Sequence, residues 1–185
     1  MKHYVNLKTP VELLFLQNNS NIRDSSQGKG RGMNILALDC ATRTGWATLI
    51  DGNIESGVQD FTKKRGESNG MMFLRFNGWL DELHASQLFT AIYYEQAHHR
   101  GGAATEICVN LTGRVQEYAA RRGIECCPVH TATIKKNVIG SGRASKDEIM
   151  AWFQNIVGYP PIDDNEADAR ALLEYAMMDL HAEAR

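Results

Sequence analysis

From Met33 onward the apolar positions follow two alternating rhythms. Short apolar runs bounded by turn residues read as strands: Ile35 to Leu38, Gly45 to Ile50, Asn53 to Phe61, Thr90 to Tyr94 and Ile124 to Val129. Between and after them the apolar residues take helical spacing. Met72, Phe73, Phe76, Leu80 and Leu83 predict a helix over Met71 to Leu88, and Ala103 to Arg122 predicts a second, stopped by Gly123. A short helix follows at Thr131 to Val138. Ser145 opens another, Lys146 to Ile156, with Glu148 three residues on as in a capping box. Pro160-Pro161 breaks the chain, and Asn165 to Glu183 forms the last helix. Asp51-Gly52 is a two-residue hairpin signal between the second and third strands.

Three strands joined by short turns, then two strand–helix units, predict an α/β fold. It has a mixed five-stranded sheet of order 3-2-1-4-5, with helices on both faces. Right-handed crossovers place the fourth strand beside the first. Asp39 and Glu95, which end those two strands, then share the carboxyl edge where open α/β sheets build their sites. Residues 1–32 belong to another pattern. Runs such as Asn18 to Asn21 and Gly28-Lys-Gly-Arg-Gly32 are turn-rich, and one short apolar patch spans Val11 to Leu16. Disorder or one loose helix is expected there, with the folded domain at residues 33–185. Gly28 to Gly32 also suits purine-rich codons of a ribosome-binding site read in frame, which makes Met33 the expected natural start.

Composition narrows the setting. No apolar run approaches the ~18 residues needed to cross a bilayer, and the first residues lack a signal peptide's apolar region. Cys40, Cys108, Cys126 and Cys127 have no C-x-x-C spacing, so neither a zinc site nor a disulfide framework is indicated, and a cytoplasmic setting is expected. The net charge of −2 hides an asymmetry. Residues 97–146 carry eight Lys/Arg against three Asp/Glu, whereas residues 147–185 carry two against nine. One surface suited to a polyanion and another suited to cations would give this swing, as would two solvated helix faces of opposite sign.

The candidate chemistry starts with carboxylates. Asp39 follows four apolar residues and precedes a small-residue turn, where it could reach a ligand or merely satisfy backbone donors. Glu95 ends a largely buried run, and a buried carboxylate needs a partner or a metal. Asp164 and Asp168 stand four apart on one helical face, and Asn165 and Asp168 three apart, while Glu166 points elsewhere. Acids in a first turn also complement the helix dipole. Asp168 lies deeper than a capping residue would, between Ala167 and Ala169. Acids from three distant places, gathered at one sheet edge, suit a hard divalent cation and phosphate chemistry. A second constellation is basic: Lys135, Lys136, Gly140-Ser-Gly142, Arg143 and Lys146. Glycines let backbone amides approach a phosphate and the lysines neutralise it, although solvated lysines beside an ordinary loop look the same in sequence. His98-His99-Arg100 precede Gly101-Gly102 in a loop just after Glu95, where a histidine could stack on a base, bind metal or move a proton.

Four segments in order resemble the Holliday junction resolvases of the RuvC type, the phage-encoded members in particular. They are Ile35-Leu-Ala-Leu-Asp39 with Gly45-Trp-Ala, Tyr94-Glu95-Gln96, Lys135 through Lys146, and Asp164-Asn-Glu-Ala-Asp168. The resemblance covers about Met33 to Leu180. It implies a ribonuclease H-like fold and a homodimer that nicks four-way DNA junctions symmetrically with Mg²⁺ or Mn²⁺, two ions per site. Asp39, Glu95 and Asp168 match the family's first, second and last metal-binding acids. The remaining ligand position is Asn165 here, with Asp164, one turn before Asp168, as the alternative. Lys135 and Lys146 match lysines near the scissile phosphate. Lys136, Arg143, Arg100 and His98 are further expected DNA contacts, His98 standing near where cellular members carry an aromatic residue. The implied setting is a bacterial or phage-infected cell. Rivals are a nuclease for branched DNA generally or for RNA–DNA hybrids, a non-catalytic junction-binding module, and the sugar kinase and actin-like group. The last requires a second phosphate loop and a larger chain.

Overall fold

The computed structural model describes residues 3–5, 33–97 and 101–183. Six strands form one sheet: β1 (His3–Val5), β2 (Ile35–Asp39), β3 (Arg43–Ile50), β4 (Asn53–Asp60), β5 (Ala91–Glu95) and β6 (Glu125–Val129), in the order β1-β4-β3-β2-β5-β6. The last five have the expected order and directions. β2, β3 and β4 form an antiparallel meander, and β5 and β6 add in parallel beyond β2. This is the mixed sheet of the ribonuclease H-like fold. β1, antiparallel to β4, was not expected from a segment with so little apolar character. The expectations for residues 6–32, for His98 and for Arg100 lie outside the described residues.

Local chemistry explains the joints. Asp51 and Gly52 have φ of 49° and 84°. Two positive values give the turn whose twist matches the strands it joins. The helices are α1 (Asn69–Gln87), α2 (Ala103–Arg122), α3 (Thr131–Val138), α4 (Lys146–Val157) and α5 (Asp164–Glu183). α4 begins with the capping box that the sequence predicts. The Glu148 amide donates to Ser145 Oγ at 3.2 Å, and the Ser145 amide donates to Glu148 Oε2 at 2.7 Å.

Period-two alternation divides the sheet's side chains between two cores. Leu36, Leu38, Trp46, Ile92 and Tyr94 pack against Met72, Phe76 and Leu80 of α1 and Leu111, Val115 and Tyr118 of α2. Ile35, Ala37, Ala47, Leu49, Ala91 and Tyr93 pack against Ala169, Leu172, Leu173, Ala176 and Met177 of α5. Small residues let α5 lie close to the strands. Closest is the seat at Gly45, where a Cβ would stand 1.8 Å from the backbone oxygen of Asn165 and 2.3 Å from its carbonyl carbon. The first turn of α5 therefore rests on bare backbone, and Gly45 is the residue of β3 that pairs with Asp39.

Polar groups fix the same end of α5. Asp163 Oδ1 accepts the amide protons of Asn165 and Glu166 at 3.0 and 3.3 Å, so Asp163, rather than Asp164, caps the helix. Glu166 is fully buried. It accepts from the Ser56 hydroxyl of β4 at 2.6 Å and from the Ile162 amide at 2.7 Å. One turn apart, Arg170 and Glu174 form a buried ion pair at 2.6 Å.

Gly45→Ala should lower stability by about 3 kcal/mol, because the overlap is with backbone that cannot rotate away. The midpoint of urea unfolding reads this directly. A variant as stable as the wild type would show that α5 does not depend on this seat.

Candidate active site

Asp39 and Glu95 are placed by register. β2 and β5 run parallel with Leu38 beside Tyr94, so the next residue of each strand is an acid at the same edge. Both follow the alternation of the α5 side, as Ile35 and Ala37 do on β2 and Ala91 and Tyr93 on β5. Asp168 arrives from α5, one turn beyond the part of the helix that rests on Gly45. The three are near enough for their charges to act on one another. The Asp39 carboxyl is held well above its ordinary range, first by burial and then by the charges of Glu95, Asp168, Asp164 and Asp163. Asp168 is raised to about 6 by burial and by Glu95 and Asp164, against the lowering effect of Lys135 and Lys146.

Asp164 has a different environment. It forms an ion pair with Lys146, and that hydrogen bond, opposed by partial burial, holds its carboxyl below the usual range. The pair is at the rim, with Lys146 74% exposed. Asn165 meets the sheet through its carbonyl, on Gly45. Asp164 and Asn165 thus occupy the first turn in different ways, one through a charged side chain and the other through its backbone.

The basic segment curls beside the acids. Lys135 Nζ donates to the Ala144 carbonyl at 2.8 Å, tying α3 to the turn before α4. Gly142 lies against the Ala132 carbonyl, 3.1 Å from where a Cβ would be. Lys136 and Arg143 are exposed. The structure therefore brings Asp39, Glu95, Asp168, Asp164, Lys135 and Lys146 to one edge and leaves Lys136 and Arg143 on the adjoining surface.

Three further residues shape the site without a strong signal in the sequence. Thr131 donates its hydroxyl proton to Glu95 Oε1 at 2.5 Å. Arg43, at the start of β3, holds Asp163 at 2.8 Å and reaches Asp60 at 3.6 Å. Asp163 caps α5. Of these, only Asp163 was discoverable, since Asp163-x-x-Glu166 has capping-box spacing. Its Glu166 nonetheless turns to Ile162 and Ser56.

The donor set tests for a metal. Among the described residues no group of three or more His, Cys, Asp or Glu side chains stands ready to hold an ion. Two of the carboxylates are engaged elsewhere, Glu95 by Thr131 and Asp164 by Lys146. The chemistry still fits a hard divalent cation. The groups gathered there are carboxylates, and burial together with neighbouring acids raises the proton affinities of Asp39 and Asp168, which marks a surplus of negative charge that a cation would relieve.

No family model matches the chain, and no curated protein does. Among solved structures the chain is similar to Thermus thermophilus RuvC, with a TM-score of 0.64 and 19% sequence identity over 81% of this chain and 97% of that one. It is similar also to T. thermophilus RuvC in complex with Holliday junction substrate, with a TM-score of 0.63 and 19% identity over 80% and 96%. At this identity the likeness is one of fold.

The raised carboxyls set a pH dependence. Asp168 has a native value of about 6 against 3.8 for the free group. Between those values the native state keeps a proton that the unfolded state has lost, so stability falls as pH rises, and the full cost is present above about 6. In EDTA at pH 8, Asp168→Asn should exceed the wild type in stability by on the order of 2 kcal/mol, a difference that fades toward pH 4. Equal unfolding midpoints at pH 8 would contradict the burial and crowding of this acid.

Proposed function

We propose that this chain is a RuvC-type, metal-dependent DNA endonuclease. It resolves four-way junctions by paired symmetric nicks, acting as a homodimer, and the nuclease domain is residues 33–185. The observation that carries this reading is the gathering of Asp39, Glu95 and Asp168 at one sheet edge, where burial and the neighbouring carboxylates raise the proton affinities of Asp39 and Asp168, with Lys135 and Lys146 beside them. The fold likeness to RuvC supports it, as does the Holliday junction substrate with which one of those RuvC structures is in complex. No helix among the described residues is long and apolar enough to cross a membrane.

In this mechanism Asp39, Glu95 and Asp168 would hold Mg²⁺ or Mn²⁺, two ions per site, with Asp164 or Asn165 completing the set. Bound there, such ions would supply an activated water and charge stabilisation for the leaving 3′ oxygen. The chain's own residues bring the phosphate there. Lys136 and Arg143 take up the DNA backbone from the exposed side. Lys135, fixed on Ala144, sets a positive charge near Asp168. Lys146 has two anionic partners in turn. Without DNA it pairs with Asp164; a phosphate at the edge competes for its ammonium and releases the Asp164 carboxylate toward the site. His98 and Arg100 are further proposed DNA contacts, and the reading is compatible with a role in recombination, repair or the clearing of branched DNA.

The decisive experiment is cleavage of a synthetic four-way junction with Mg²⁺, mapping the nicks on all four strands, with Y-forks and RNA–DNA hybrids in parallel. Paired nicks at symmetric positions are expected. Equal cutting of forks or hybrids would instead assign a broader nuclease. Asp39→Asn should bind the junction as the wild type does and cut it more than about a hundredfold more slowly, a larger loss than removal of an outer-shell partner gives. Cutting at the wild-type rate by that variant would end the metal mechanism. Binding should also weaken by orders of magnitude between 50 and 200 mM salt, in line with release of counterions by several phosphate contacts.

A further inference from the structure

The hydroxyl of Thr131 lies 2.5 Å from Glu95 Oε1, a short O–H···O hydrogen bond. The partners are 36 residues apart in sequence, and the backbone of each is pinned. The Gln96 amide, just after Glu95, donates to the Val129 carbonyl at 2.9 Å and continues the β5–β6 ladder past the acid. Thr131 opens α3, whose first turn is closed by the amides of Thr133 and Ile134 on the His130 carbonyl at 2.9 and 3.1 Å. Ile134 is buried in the α5-side core and anchors that turn. The hydroxyl is therefore a fixed donor.

A glutamate on a strand end has three rotatable bonds, and ordering it on an ion loses rotamer freedom. A fixed donor on one carboxylate oxygen reduces that loss, and it leaves Oε2 as the oxygen offered to an ion. Outer-shell hydrogen bonds to metal-binding side chains act in this way and are worth about 10–100-fold in affinity. We infer that Thr131 is a positioning residue that orients Glu95 for the divalent cation, an inference that rests on the nuclease reading above. It makes α3 a two-point support. Thr131 steadies the acid from β5, and one turn later Lys135 balances the acid from α5.

The test compares the wild type with Thr131→Val, which keeps the shape and loses the donor, and Thr131→Ser, which keeps the donor. Mn²⁺ binding without DNA is measured by titration calorimetry, and the Mn²⁺ midpoint of junction cleavage is measured in parallel. Thr131→Val should raise both the Kd and the midpoint about tenfold or more. Its junction affinity and melting temperature in EDTA should match the wild type, and Thr131→Ser should restore both metal readouts. Should Thr131→Val melt early in EDTA, Thr131→Ala removes the same donor without introducing a second methyl, and the same shift is required of it. Wild-type Mn²⁺ affinity in the donor-free variant overturns the inference while leaving the nuclease reading intact. A wild type that neither takes up Mn²⁺ nor nicks a junction overturns both.

Discussion

The close approach of α5 to β3 at Gly45 is the constraint on which the candidate site depends. The acids come from three segments with no local relation to one another, and two of them are set by the β2–β5 register alone. The third is placed by a helix, and a helix can roll or slide on a sheet. Here it does neither. Its first turn has its backbone against a strand position that lacks a side chain, directly across the ladder from Asp39. Any residue larger than glycine would lift that end of the helix by more than an ångström, enough to separate Asp168 from the strand acids.

The same end of α5 is held by polar groups that take no part in the chemistry. Glu166 is fully buried and bonded to both Ser56 and the Ile162 amide, so it fixes the rotation of the helix about its axis as Gly45 fixes its height. A buried carboxylate is tolerable only when its oxygens are satisfied, and here the bonds fall on two different elements. Asp163 does similar work from outside, capping the helix while Arg43 ties it to β3. Of the acids from Asp163 to Asp168, those at 163 and 166 build the platform. That at 164 pairs with a lysine at the rim, and that at 168 faces the strand acids.

This division of labour explains what was legible in the sequence. Strand and helix periodicity predicts the five-stranded sheet, its order and all five helices, because each element buries one face in a regular pattern. The positions of Asp39 and Glu95 follow, since strand ends and crossover handedness fix them together. The pattern also places Glu166 away from Asp164 and Asp168, although not its destination. That destination is Ser56 on β4, 110 residues earlier, and no local pattern encodes such a contact. Thr131 on Glu95 and Lys146 on Asp164 escape for the same reason. β1 escapes because a run of three residues is too short to carry a readable periodicity.

The charge balance of the site links these observations. Burial and mutual repulsion give Asp39 and Asp168 raised proton affinities, so the bare site works against folding at neutral pH. A protein can keep such an arrangement only if the rest of the fold holds the acids in place, and the Gly45 seat, the buried Glu166 and the Asp163 cap do so. Asp164 shows the alternative. With Lys146 beside it, its carboxyl is lowered and the local repulsion is relieved. The edge thus has one acid paired with an exposed lysine and two, Asp39 and Asp168, whose proton affinity stays raised, Asp168 even with Lys135 and Lys146 nearby. A cation would relieve the crowding of those two acids, and a phosphate would draw the lysine away. In the proposed mechanism the two events would favour each other, because losing Lys146 would add negative charge at the cation's place, and the cation would add positive charge at the phosphate's.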